Sequence, residues 1–207
     1  MASTVFAGHA EPANDLFGRW DPSYDHSLPQ RRQDIDQATS LLQKAGQAGL
    51  SVELTTGDLT TGTLAMAQVF QQQAKAAGVT VTLKNLDPGT FYGKSWLTYP
   101  FTQDYWYTRS YLGQVAQVTL KSSSSNETHF GNAPYEKLYQ QARAQLKPGL
   151  RAEIIHAMQK LDWTIGGYII PTFNDQLDAY STTMAGFSPS RNGGPLGDYT
   201  FRTVYVR

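Results

Sequence analysis

The stretch Leu50-Ser51-Val52-Glu53-Leu54-Thr55, answered after a helical run by Gly78-Val79-Thr80-Val81-Thr82-Leu83, decides the fold class. In each piece apolar and polar residues alternate, the period of a half-buried strand. Val52 and Leu54 share one face of the first, and Val79, Val81 and Leu83 one face of the second. Between them Leu64, Ala67, Phe70 and Ala74 recur at helical spacing from Thr63 to Ala77, and Gly78 stands where a helix stops. Two short strands about thirty residues apart, joined by a helix, meet the requirement of a parallel crossover. The expected class is α/β.

Upstream, Ile35, Ala38, Leu41, Leu42 and Ala45 mark a helix with acidic residues in its first turn and Gly46 at its end. The residues before it carry Gly8, Pro12, Gly18, Pro22 and Pro29 without a sustained period. They read as an irregular segment anchored by Phe6, Phe17, Trp20 and Tyr24. Downstream, Asp87 heads an Asp-Pro-Gly turn and can cap a short helix running toward Trp96. An aromatic stretch from Trp96 to Tyr111 follows, then a polar run from Lys121 to Gly131 whose four serines read as a mobile loop. Helices are expected over 134–145 and 150–165, a short buried strand at Tyr168-Ile169-Ile170-Pro171, and a last strand-like run at Phe201, Val204 and Val206. The expected organisation is an irregular segment over 1–33, an α/β lobe over 34–175 and a tail over 176–207.

The 17 basic and 17 acidic side chains cancel and form no basic stripe, which excludes the phosphate neutralisation that nucleic-acid binding requires. No apolar run reaches the ~20 residues of a membrane-spanning helix. The absence of cysteine removes disulfides, thiol nucleophiles and cysteine-based zinc sites. His9, His26, His129 and His156 show no paired ligand spacing, so each reads better as a structural or surface residue, and no metal or cofactor is expected. No Gly-x-Ser-x-Gly elbow and no phosphate-binding glycine loop occurs. Asn126-Glu127-Thr128 matches the short N-glycosylation triplet, a pattern of little information.

The strongest local signal is Tyr99-Pro100-Phe101-Thr102-Gln103-Asp104-Tyr105-Trp106-Tyr107, in which rings surround a single carboxylate. Small-molecule sites are mostly apolar and aromatic with a few placed polar groups. An aspartate among aromatic walls can pair with a ligand ammonium while the rings attract the cation. The same residues also suit a core-facing strand whose aspartate caps a helix, and on the residues alone both readings stand. A hydrolase using Asp104, Glu127 and His129 as acid–base groups, and an interaction domain using exposed aromatics, are the rival function classes.

Five pieces in order across residues 34–173 resemble one family, the large extracellular solute-binding proteins of ABC importers, family 5, of the oligopeptide- and dipeptide-binding type. Leu41-Leu42-Gln43-Lys44-Ala45-Gly46 is similar to its Leu-Leu-x-x-Ala-Gly helix end, and Ala77-Gly78-Val79 with Val81 and Leu83 to its Gly-Ile-x-Val-x-Leu strand. Asn132-Ala133-Pro134-Tyr135 through Ala142 resembles its Asn-Pro helix, Arg151 to Gln159 its Arg-x-x-x-Tyr-x-x-x-Gln helix, and Ile169-Ile170-Pro171 its Ile-Pro strand. The resemblance implies a type II periplasmic-binding-protein lobe, a mixed sheet flanked by helices, and a receptor rather than an enzyme. It implies a small amine-bearing solute such as a peptide, held between this lobe and an N-terminal lobe of the same protein, and an ABC permease as partner. It also implies a periplasmic or extracellular location, either lipid-anchored through the preceding lobe or free in the periplasm, and makes Met1 a cut point in a longer protein. Within that family the segment matching Phe101 to Leu112 carries the aspartate that pairs with a peptide amino terminus, which makes Asp104 the expected anchor. Phe101, Thr102, Tyr105, Trp106 and Asn174 are its expected neighbours in the cleft. Thr108 replaces the family's usual proline, and Trp106-Tyr107 is bulkier than usual. Asn126-Glu127-Thr128-His129 has no counterpart in the peptide-site pattern and points to another solute, which adds Asn126 and His129 to the candidates.

Overall fold

The computed structural model describes residues 2–190 and 193–207. The first half holds α1 (Ala2–Phe6), β1 (Ala10–Pro12), α2 (Ile35–Lys44), β2 (Ser51–Gly57), α3 (Thr63–Ala74), β3 (Thr80–Leu86) and α4 (Pro88–Phe91). The second holds α5 (Tyr111–Val118), α6 (Ala133–Ala144), α7 (Pro148–Ile165), β4 (Thr172–Asn174), β5 (Met184–Ala185) and β6 (Tyr205–Val206). The residues group into two compact units, one of 1–8 with 29–106 and one of 9–28 with 107–207. This division follows contacts; the boundaries expected at 33/34 and 175/176 follow changes in sequence pattern.

In the first unit β2 and β3 pair in parallel, with Ser51 opposite Thr80 and Gly57 opposite Leu86, and α3 is the crossover. Leu54, Ala67 and Val81 form the buried core, against which Val52, Phe70, Ala74, Val79 and Leu83 pack. These are the residues whose periodicity marked the strands and the helix. The caps follow equally local rules. The Asp34 side chain accepts from the Gln37 N–H at 2.8 Å to start α2, and Asp87 accepts from the Thr90 N–H at 3.0 Å to start α4. Gly62 precedes α3 with φ +86°, and a β-carbon there would sit 2.5 Å from the Phe6 ring. Only glycine meets both conditions. After α3 a 3-10 turn runs to Ala77, and Gly78 at φ 78° ends it.

In the second unit α6 packs against α7, and Tyr111, Val115, Val118, Tyr135, Ile155 and Met158 are almost wholly buried. The antiparallel pairs β1–β4 and β5–β6 are short. The α/β class therefore holds, with strands in small separate pairs rather than one continuous mixed sheet.

Four sequence expectations are corrected. The buried strand expected at 168–171 is displaced: the ladder is Thr172–Asn174 and Ile169 is 71% exposed. Residues 170 and 171 still track the irregular segment, because the Asp15 and Ala13 N–H groups donate to the Ile170 and Pro171 carbonyls. Trp20, expected as an anchor, is exposed, and Leu16 and Phe17 do the anchoring. Tyr111, counted with the aromatic stretch, instead opens α5, a helix too short and too glycine-interrupted to show a period. The serine run is not a loose loop. Ser125, Asn126 and Glu127 are buried, and the Ser123 hydroxyl donates to the Gln117 carbonyl.

Candidate functional site

The backbone after Phe101 joins the parallel pair. The Thr55 N–H donates to the Phe101 carbonyl and the Gln103 N–H donates to the Thr55 carbonyl, each at 3.0 Å, so Thr102 forms a parallel bridge with Thr55. The Thr102 hydroxyl donates to the same Thr55 carbonyl at 3.0 Å, and the Thr56 hydroxyl donates to Gln103 Oε1 at 2.9 Å. Thr55 and Thr56 are buried, so the bridge is anchored on a rigid strand. Asp104 follows two residues after this bridge, at the carboxyl end of the parallel strands. That edge is where open α/β sheets place ligands, since side chains leaving several strands converge there.

Asp104 is half-buried and held on one oxygen. The Tyr92 hydroxyl donates to Oδ1 at 2.6 Å, and the Tyr105 N–H donates to the same Oδ1 at 2.7 Å. Tyr92 belongs to a ring cluster: its ring meets Trp96 edge-on at 5.8 Å and Phe91 at 4.9 Å, and Phe91 is fully buried. The Tyr99 hydroxyl donates to the Phe91 carbonyl at 3.2 Å and ties the cluster to the stretch that leads to Asp104. The Phe101 ring faces the other way, packing on the core with Phe70 at 6.1 Å. Its side chain is committed to the core of its own unit. Tyr105 and Trp106 follow Asp104 in sequence and are half-buried.

The remaining candidates lie in the second unit. Asn174 is exposed at the end of β4, opposite Ala10. Asn126 is buried: its amide donates to the carbonyls of Thr119, Leu120 and Phe130 at 3.2, 3.3 and 3.0 Å, and its oxygen accepts from the Thr128 hydroxyl at 3.1 Å. Each amide position is used inside the loop, which makes Asn126 a loop staple. The glycosylation triplet is closed to modification for the same reason. His129 is exposed with φ 51°. Glu127 is buried and accepts from the Tyr168 hydroxyl at 3.3 Å, so it is not presented to solvent as an acid–base group.

Two features escaped the sequence reading. Tyr92 falls within the short helix expected between Asp87 and Trp96, and nothing local marks it as the partner of an aspartate twelve residues away. The second is a buried polar cluster in the second unit. The Tyr111 hydroxyl donates to Asp162 Oδ2 at 2.5 Å, the Tyr135 hydroxyl donates to it at 3.1 Å, and the two hydroxyls stand 3.1 Å apart. Burial pushes the Asp162 carboxyl up to about 7, although both tyrosine bonds pull it down, and burial raises both phenols above their ordinary value. The adjoining cavity is about 10 Å³, room for about one water, so it holds no solute. Among the described residues no group of three His, Asp or Glu side chains could hold a metal ion.

Residues 1–128 match the model of the bacterial extracellular solute-binding proteins, family 5. The chain belongs to that family. This family 5 chain is also 26% identical, over its whole length, to the nickel-binding protein NikA of Staphylococcus aureus, of which it covers 43%. Its fold is similar to NikZ from Campylobacter jejuni, solved in complex with Ni(L-His), with a TM-score of 0.83 at 13% identity over 98% of this chain and 45% of NikZ. It is similar in the same way to the periplasmic binding protein DppA from Helicobacter pylori, solved with a peptide, with a TM-score of 0.80 at 15% identity over 99% of this chain and 41% of DppA. The structural likenesses speak for the fold alone. The family 5 chain spans less than half the length of these relatives.

Proposed function

We propose that this chain is a non-catalytic solute-binding lobe of an ABC importer receptor, and that Asp104 anchors an amine-bearing solute such as a peptide. The observation that carries the reading is the placement of Asp104. A carboxylate held by Tyr92 and Tyr105 stands beside aromatic rings at the carboxyl edge of parallel strands, in a chain of a solute-binding family. Tyr105 and Trp106, the next two residues of the same unit and half-buried, are the apolar wall proposed for it. A second lobe, contributed by the rest of a protein about twice this length, completes the site. Solute touching both lobes favours the closed form by its differential affinity, and the membrane permease reads that form. On this reading the protein works on the extracellular or periplasmic face, held there by a lipid anchor or free in the periplasm.

A second solute class, nickel, is favoured by the likeness to the nickel-binding protein NikA. Native mass spectrometry of the complete protein, looking for a co-purified solute, separates the two. Calorimetry of this chain alone with trialanine should show no binding tighter than the millimolar range, because half of the contacts are absent. Micromolar binding by this chain alone would sink the two-lobe account. A hydrolytic turnover lost on Asp104→Asn would sink the receptor reading itself.

A further inference from the structure

If Asp104 is the solute anchor, the way it is held restricts what it can hold. A carboxylate oxygen offers about two acceptor sites. Both sites of Oδ1 are filled, by the Tyr92 hydroxyl at 2.6 Å and the Tyr105 N–H at 2.7 Å. Among the described residues no bond reaches Oδ2. A guanidinium recognises a carboxylate through a planar fork that needs both oxygens, whereas an ammonium is a compact point charge served by one. We infer that Tyr92 is a specificity-determining residue that makes Asp104 a one-oxygen acceptor, selective for a primary ammonium over a guanidinium.

The placement of Tyr92 supports a built arrangement. Its position is set by the capped turn of α4, by the buried Phe91 beside it and by the edge-on contact with Trp96, so its hydroxyl is aimed before any solute arrives. The Tyr105 donor cannot move without moving the backbone next to the Thr102 bridge. Of the two bonds on Oδ1, the one from Tyr92 is the one a single side-chain change removes. The inference rests on the reading of Asp104 as an amine anchor, and the test separates the two.

Three probes share a body and differ at the amino terminus: trialanine, its Nα-amidino derivative, which carries a guanidinium, and its Nα-acetyl derivative, which carries no charge. Each is titrated into the 15N-labelled chain while the Tyr105 amide signal is followed. Trialanine should bind at least fivefold tighter than the amidino probe. In Tyr92→Phe, which keeps the ring and frees one acceptor site on Oδ1, that ratio should fall toward one. A hydroxyl that merely held the fold together would weaken both probes alike. An amidino probe that binds the unmodified chain as well as trialanine does, or a ratio unmoved in Tyr92→Phe, overturns the specificity role and leaves the anchor standing. An acetyl probe that binds as well as trialanine, signals that survive Asp104→Asn, or no movement with any probe when each is titrated well past the millimolar range expected of this chain alone overturns the anchor and the specificity role together.

Discussion

Replacing Asp162 by asparagine should remove a large pH dependence from the stability of this protein. Asp162 lies on the inner face of α7, 7% exposed, with two tyrosine hydroxyls on Oδ2. Burial outweighs those bonds and brings its folded-state value to about 7, against 3.8 for an unperturbed aspartate. Between those two values the folded state holds a proton that the unfolded state has released. The stabilisation is therefore complete below the unfolded value and is lost as pH rises through the folded one. The slope is about −1.4 kcal/mol per pH unit over roughly three units, a total of roughly 4 kcal/mol. Asparagine is isosteric, uncharged at every pH, and keeps an oxygen for the tyrosines to bond. Urea unfolding of both proteins from pH 4 to pH 8 checks this, since the other titrating groups contribute equally and cancel. The unmodified protein should be comparable to the variant at pH 4 and lose roughly 4 kcal/mol relative to it by pH 8. Parallel stability curves, with a difference constant to within ~1 kcal/mol, would show that the carboxyl is ionised throughout and that the buried-proton reasoning is wrong.

Three further outcomes follow from the packing and the loop geometry. Met158→Ala, at a fully buried position on α7, should cost ~2–5 kcal/mol in urea with little change in m, and a loss under ~1 kcal/mol would show that the site collapses around the gap. Asn126→Ala strips the 119–130 loop of its staple, so ~1–3 kcal/mol should be lost and limited proteolysis should cut there sooner; an unchanged digestion pattern would return the loop to the mobile class. Gly62→Ala meets both a positive φ and the Phe6 ring, and thermal unfolding should show ~1 kcal/mol or more of destabilisation. A neutral result would mean that α1 swings aside.

The parts of the candidate site differ in how far they can be read from the chain. Asp104 was visible because a lone carboxylate among rings is a local signal, and Asp87 and Gly78 were visible because caps act within a turn or two. Tyr92 was not visible, since its role depends on a hydroxyl reaching Asp104 across a turn whose path no periodicity reports. Phe101 was legible as apolar, but whether its ring faces solute or core depends on the side of the Thr102 bridge from which it leaves. The order of the 121–131 run was not legible, because a polar run looks alike whether its amides bond to water or to carbonyls a few residues away.

Sequence alone determined the parallel pair and its crossover, because the alternation of Val52, Leu54, Val81 and Leu83 and the helical spacing of Ala67, Phe70 and Ala74 are local consequences of strand and helix geometry. It also determined the family, through motifs that follow one another in order. Tertiary structure decided the rest. The burial of Asp162 between Tyr111 and Tyr135 brings together residues from three helices, and the filling of one oxygen of Asp104 needs a hydroxyl and a backbone N–H aimed at the same point. Both depend on where distant side chains meet, and a one-dimensional pattern records which residues are apolar but not which atoms face each other.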